Sequence, residues 1–232
     1  MKTPSLIVAL DRPSAPAAGL ILDKLPERAG WFKVGLELFT ADGPAALAML
    51  KRRNKNIFLD LKLHDIPNTV AGAVRSAAAR EVSLLTLHAL GGPAMIRAAA
   101  EAARAAGPKA PKLIAVTVLT SHGPEDLEAI GIVKKISDQV LALADMALKN
   151  GADGLVASVS EARLLREKFG KDFILVVPGI RPAGAAVGDQ KRVATPAMAA
   201  EAGADFLVVG RPIIDAPDPG AAATTILNEI GL

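Results

Sequence analysis

The sequence predicts an α/β protein built as one (β/α)₈ (TIM) barrel over residues 1–232. Three observations carry that expectation. Short β-rich runs alternate with Ala-rich helical stretches from end to end. Eight such units fit a chain of this length. No low-complexity segment or change of composition marks a boundary inside the chain. A doubly wound open sheet is the alternative, but the first apolar run does not lead into a Gly-x-Gly-x-x-Gly turn.

The expected strands are 6–10, 31–36, 57–61, 83–87, 113–119, 154–157, 173–177 and 206–209. Each is a short apolar run, as befits strands buried on both faces of a parallel sheet. Between them, helical patterns are expected at 44–53, 69–80, 94–106, 137–150 and 162–169. Pro67 is placed to open the third helix and Pro212 the one after the eighth strand, since proline suits a first helical turn. The stretch 181–195, rich in Gly, Ala and Pro, is the longest irregular segment between a strand and a helix. Such loops often act as lids.

Composition narrows the function classes. A chain of 232 residues that is 51% hydrophobic and 22% charged can bury one large core. With no cysteine, disulfides and Cys-ligated zinc are excluded, and a reducing, cytoplasmic setting is expected. The apolar stretch near Met1 is too short for a signal peptide, and the longest charge-free span, 82–96, is too short to cross a bilayer. The net charge of +3 is mild and there is no Tyr, so platforms for stacking nucleic-acid bases are scarce. The basic run Lys51-Arg52-Arg53-Asn54-Lys55 reads as a solvated helix end, where cations suit the dipole. Neither nucleic acid nor membrane is expected as a partner.

In a barrel of this kind the site lies where strands end and the following loops begin. Those points carry Asp11, Lys33, the group Asp60, Lys62 and Asp65, then His88, the segment Thr117–Ser121, Pro178-Gly179-Ile180-Arg181-Pro182, and Gly210-Arg211-Pro212. Asp60 and Lys62, two apart on a strand, project to one face at the rim of the core. Burying charge is costly unless it is paired, so this arrangement needs a reason: a salt bridge closing a strand end, or a working pair. Gly210-Arg211-Pro212 reads either as a phosphate site at a helix entry or as an ordinary helix entry. His64 is expected to pack or to make a structural hydrogen bond, His88 falls near the rim, and His122 is expected in solvent. Three isolated histidines have no metal-ligand spacing, and lysines compete for the oxygens of the acidic cluster, so neither metal nor cofactor is expected. Thr120 and Ser121 have no partner motif that would make either a covalent nucleophile.

Together these residues resemble orotidine 5′-phosphate decarboxylases. The resemblance rests on Asp60-x-Lys62-x-x-Asp65-Ile66-x-x-Thr69, with Ala9-Leu10-Asp11, Lys33-Val34-Gly35, Leu119-Thr120-Ser121, Pro178-Gly179-Ile180-Arg181-Pro182, Gly188-Asp189-Gln190 and Val209-Gly210-Arg211-Pro212 in the family's order. It implies a barrel that converts orotidine 5′-phosphate to UMP and CO₂ without metal or cofactor, as a homodimer. It also implies that Asp65 and Thr69, with Ile66 between them, reach the partner's site. One hydroxyl, Thr120 or in reserve Ser121, would meet the pyrimidine.

Loss of CO₂ from C6 leaves a poorly delocalised carbanion, so the site must favour charge at C6 over charge on the carboxylate. Lys62 is the expected proton donor, held by Asp60, with Lys33 and Asp65 extending the charge array. Asp11 and Lys33 would meet the ribose, and Arg181, Gln190, Gly210 and Arg211 the phosphate, with 181–195 closing over it. The rival readings are a Mg²⁺-dependent lyase of sugar phosphates, a phosphate-sugar isomerase and a non-catalytic binding protein.

Overall fold

In the computed structural model, which describes residues 3–182 and 194–232, eight parallel strands close on themselves. They are β1 (Ser5–Ala9), β2 (Trp31–Gly35), β3 (Asn56–Leu63), β4 (Leu84–His88), β5 (Lys112–Val116), β6 (Gly154–Val156), β7 (Ile174–Val177) and β8 (Phe206–Val209). Each pairs with its neighbour in sequence, and β8 pairs back to β1 through Val8↔Val209. The predicted (β/α)₈ barrel is the observed one.

The strand period of two sorts the apolar residues into two cores. Ile7, Ala9, Phe58, Leu84, Ile114, Val176 and Val208 point inward and fill the barrel. Trp31 and Phe206 pack edge-to-face, with centroids 4.8 Å apart, within this inner core. The alternate residues, such as Val8, Val34, Leu85 and Leu207, join the helices in a second, larger core. Sustained apolar runs are thus required, because each strand has no face left for solvent.

Element bounds follow the expectation with instructive departures. The helix forecast at 44–53 is the second half of Leu36–Arg52, which breaks at Asp42 (φ −143°) just before Pro44. Proline cannot continue the preceding hydrogen-bond ladder, and the Asp42 carboxylate, freed at the break, accepts the Ala15 N–H at 2.9 Å. The run 113–119 stays a strand only to Val116. Beyond it Thr117 still bonds to the Val156 carbonyl (Oγ1, 3.0 Å), and the chain then leaves the sheet. An apolar run signals burial, and Val118 and Leu119 are placed against a cavity rather than in a ladder. Pro67 does open Pro67–Ala79, and Arg211–Ile214 follows β8 with Pro212 in its first turn. No helix among the described residues is long and apolar enough to cross a membrane.

Candidate active site

The inward-facing residue that follows each apolar layer arrives at the C-terminal rim. β1 delivers Asp11, β2 Lys33, β3 Asp60 and β4 Thr86, all in phase with the inner core. The Lys33 ammonium lies 2.8 Å from Asp11 Oδ1 and 3.8 Å from Asp60 Oδ2. The Lys62 ammonium donates to both Asp60 oxygens, at 3.0 and 2.9 Å. Four alternating charges thus form one unbroken line, Asp11–Lys33–Asp60–Lys62. Lys33 and Asp60 keep only 12% and 13% of their side-chain surface, so each of these charges depends on its neighbours rather than on water. Gly35 makes room for the line: a Cβ there would stand 2.5 Å from Lys33 Nζ.

Asp60 and Lys62 do meet, but not by simple strand alternation. The register between β3 and β4 slips between Leu59↔Leu85 and Leu63↔Leu87, so four steps on β3 match two on β4. Inside this bulge Lys62 takes a left-handed backbone, φ 49°, which costs a side-chain-bearing residue roughly 1–2 kcal/mol. Thr86, fully buried opposite the bulge, accepts the Lys62 N–H at 2.8 Å and donates to Asp60 Oδ1 at 3.0 Å. Thr86 was not among the expected site residues. Its signal was present, since it is the one polar residue in Leu84-Leu85-Thr86-Leu87 and shares the phase of inward-facing Leu84.

Two adjoining cavities share Asp11, Lys33, Pro178 and Val208 and so form one cleft. The inner one, ≈ 280 Å³, holds Asp60 and Lys62 against Val116, Val156 and Val176, and both Thr120 and Ser121 line it. The outer one, ≈ 390 Å³, holds Arg181, Gly210 and Arg211, together with Glu37, another residue not singled out from the sequence. Gly179 turns the chain there with φ 75°, and the Arg181 N–H bonds to the Ala194 carbonyl at 2.9 Å. The Arg181 guanidinium titrates below its ordinary range, first because it is partly buried and then because Arg211 is near. An anion between the two arginines would favour their charged forms and so oppose this shift.

Asp65, Ile66 and Thr69 are not brought into this cleft. They are exposed at the entry to Pro67–Ala79, and Ile66 keeps 67% of its surface. Gln190, and with it most of the 181–195 segment, lies outside the described residues. His64 is exposed but stacks on His88, with centroids 5.6 Å apart, while His122, expected in solvent, is half-buried. His88 has its pKa lowered to about 4, by burial first and then by the charges of His64, Lys62 and His122. It is therefore neutral at pH 7. Among the described residues no group of three or more His, Asp or Glu side chains is gathered for a metal ion.

The profile of the orotidine 5′-phosphate decarboxylase / HUMPS family matches residues 4–226. The chain belongs to this family. It is 52% identical over 230 residues to an orotidine 5′-phosphate decarboxylase of Moorella thermoacetica, covering 97% of this chain and 91% of that one. It is 50% identical to the Nostoc sp. enzyme of the same name, with 99% and 98% covered. A crystal structure of orotidine 5′-phosphate decarboxylase from Lactobacillus acidophilus superposes with a TM-score of 0.88 at 41% identity, over 100% of both chains.

Proposed function

We propose that this chain decarboxylates orotidine 5′-phosphate to UMP and CO₂, with Lys62 as the proton donor to C6. Membership of the family and the near-full-length relatives of that name support the overall reaction. The observation that carries the mechanism is the line Asp11–Lys33–Asp60–Lys62 at the inner end of a cleft whose outer end is cationic. The phosphate would sit between Arg181 and Arg211 near Gly210, the ribose against Asp11 and Lys33, and the pyrimidine in the inner cavity beside Thr120. Phosphate binding is a handle remote from the reacting bond, so its binding energy can hold C6 in place.

In the reaction the C6–carboxylate bond breaks, its electron pair stays on C6, and a proton from Lys62 Nζ takes the vacated position. Solvent then reprotonates the amine. The ammonium favours the developing carbanion, and Asp60 disfavours a second carboxylate beside it, so ground and transition states are separated by charge alone. Asp11 and Asp60 are each engaged by an ammonium, which a divalent cation would have to displace. This supports a reaction without metal or cofactor.

Asp65, Ile66 and Thr69 are exposed and do not line their own cleft, and exposed Ile66 is the kind of residue a partner covers. These placements support a homodimer in which each chain completes the other's site. A cytoplasmic setting fits a cysteine-free chain that makes a nucleotide.

The deciding experiment follows loss of orotate absorbance with orotidine 5′-phosphate as substrate, in EDTA and again with Mg²⁺ restored. Turnover to UMP that chelation leaves unchanged is expected. Activity abolished by EDTA and recovered with Mg²⁺ would turn the reading to a metal-dependent lyase, and binding without turnover would make the protein a receptor.

A further inference from the structure

The bulge in β3 sets a problem that only one side chain solves. A left-handed residue inside a ladder takes its N–H out of line with the backbone carbonyls of the neighbouring strand, and a buried N–H must find an acceptor. At Lys62 that acceptor is the Thr86 hydroxyl, at 2.8 Å. Because a backbone N–H can only donate, the hydroxyl oxygen is the acceptor and its own proton is free. That proton goes to Asp60 Oδ1 at 3.0 Å, a carboxylate that can only accept. The chemistry of the two partners therefore sets the direction of both bonds. Thr86 is 0% exposed, so no water substitutes for it.

We propose that Thr86 is a positioning residue for the Asp60–Lys62 pair. Its hydroxyl ties the backbone of Lys62 to the carboxylate of Asp60, and the ammonium of Lys62 closes the loop on the same carboxylate. Asp60 Oδ1 thus receives both Lys62 Nζ and Thr86, while Oδ2 is left to Lys62 and Lys33. Without the hydroxyl, Asp60 can rotate about its last torsion and Lys62 can relax out of the left-handed region. Either motion moves the ammonium relative to a fixed substrate. The inference rests on the reading of Lys62 as proton donor for its effect on turnover, but not for the tie itself.

The test compares Thr86→Val, which keeps the shape and removes the hydroxyl, with Thr86→Ser, which restores it. Thr86→Val is expected to lower kcat about 10–100-fold, as for a misplacement of order 1 Å, with KM within about 3-fold. Thr86→Ser is expected to recover most of kcat. Amide exchange at Lys62, read in the same proteins without substrate, is expected to quicken at least about 10-fold in Thr86→Val only, since that N–H loses its acceptor. Wild-type kcat in Thr86→Val, equal damage in Thr86→Ser, or unchanged exchange at Lys62 would each overturn the proposal. If Thr86→Val does not fold, Thr86→Ala takes its place under the same criteria, and loss of folding in both would make Thr86 a stability residue and overturn it too. Lys62→Ala measured alongside separates the two readings. Turnover retained there would refute Lys62 as donor, while the exchange data would still judge the tie.

Discussion

Lys62 stands in a left-handed backbone with its ammonium on both oxygens of Asp60, and a residue held against its own preference marks a place where position matters more than stability. Lys62→Ala removes both the cation and the proton, so kcat should fall at least ~10²–10³-fold, the loss seen for single charge-stabilising donors. Rapid-quench product analysis checks this, and a change confined to KM would show that Lys62 only binds. His88 offers a second, independent readout. Its pKa is about 4 folded against 6.5 for an ordinary imidazole. Between those values the unfolded chain takes up a proton that the folded chain refuses, so His88 contributes stability fully above pH 6.5 and loses it as pH falls toward 4. The melting temperature of His88→Asn should therefore fall less steeply than wild type between pH 6.5 and 4, and parallel slopes would show that His88 is not the titrating group.

At the scale of elements, one side chain ties several elements together at the rim opposite the site. Arg166, in the helix Val159–Phe169, reaches under the barrel to Asp205 at 2.8 Å, to the Gly203 carbonyl through Nε (3.0 Å), and to the Phe173 carbonyl (3.0 Å). Asp205 also accepts the Leu175 N–H at 2.9 Å, so helix, β7 and β8 meet in one network with little exposure. Removing one partner of such a pair strands the other without water. Arg166→Ala should cost about 2–3 kcal/mol after allowance for the partial exposure, or roughly 5–10 °C in Tm for a chain of this size. Calorimetry checks this. KM for orotidine 5′-phosphate should stay at its wild-type value, because the network lies at the end of the strands away from the cleft.

For the whole molecule, the decisive question is whether the cleft is complete within one chain. Asp65 and Thr69 lie outside their own cleft, and an isologous pair of chains would supply both sites at once. Inactive Lys62→Ala mixed with inactive Asp65→Ala should regain activity after subunit exchange. A mixed dimer carries one doubly altered site and one intact site, so up to about half the wild-type rate is expected if the sites are independent. Verified exchange with no recovery would place Asp65 in its own subunit's site.

Eight apolar runs with helical stretches between them were enough to specify the closed parallel barrel, because burial on both strand faces leaves a local trace in every run. The same logic found Asp11, Lys33, Asp60, Lys62, Thr120, Arg181 and Arg211, since charge or hydroxyl at a strand's C-terminal end is conspicuous against an apolar run; Gly210 came with Arg211 as a helix entry, and the structure gathers all of them around one cleft. Local patterns could not give what depends on a neighbouring strand. The slip of β3 against β4, the left-handed Lys62 and the tie through Thr86 all arise from register between segments 24 to 26 residues apart. The end of β5 at Val116 and the break at Asp42 are likewise decided by what lies opposite them. Periodicity reports which side of a strand is dry; only the packed barrel decides which buried hydroxyl meets which carboxylate.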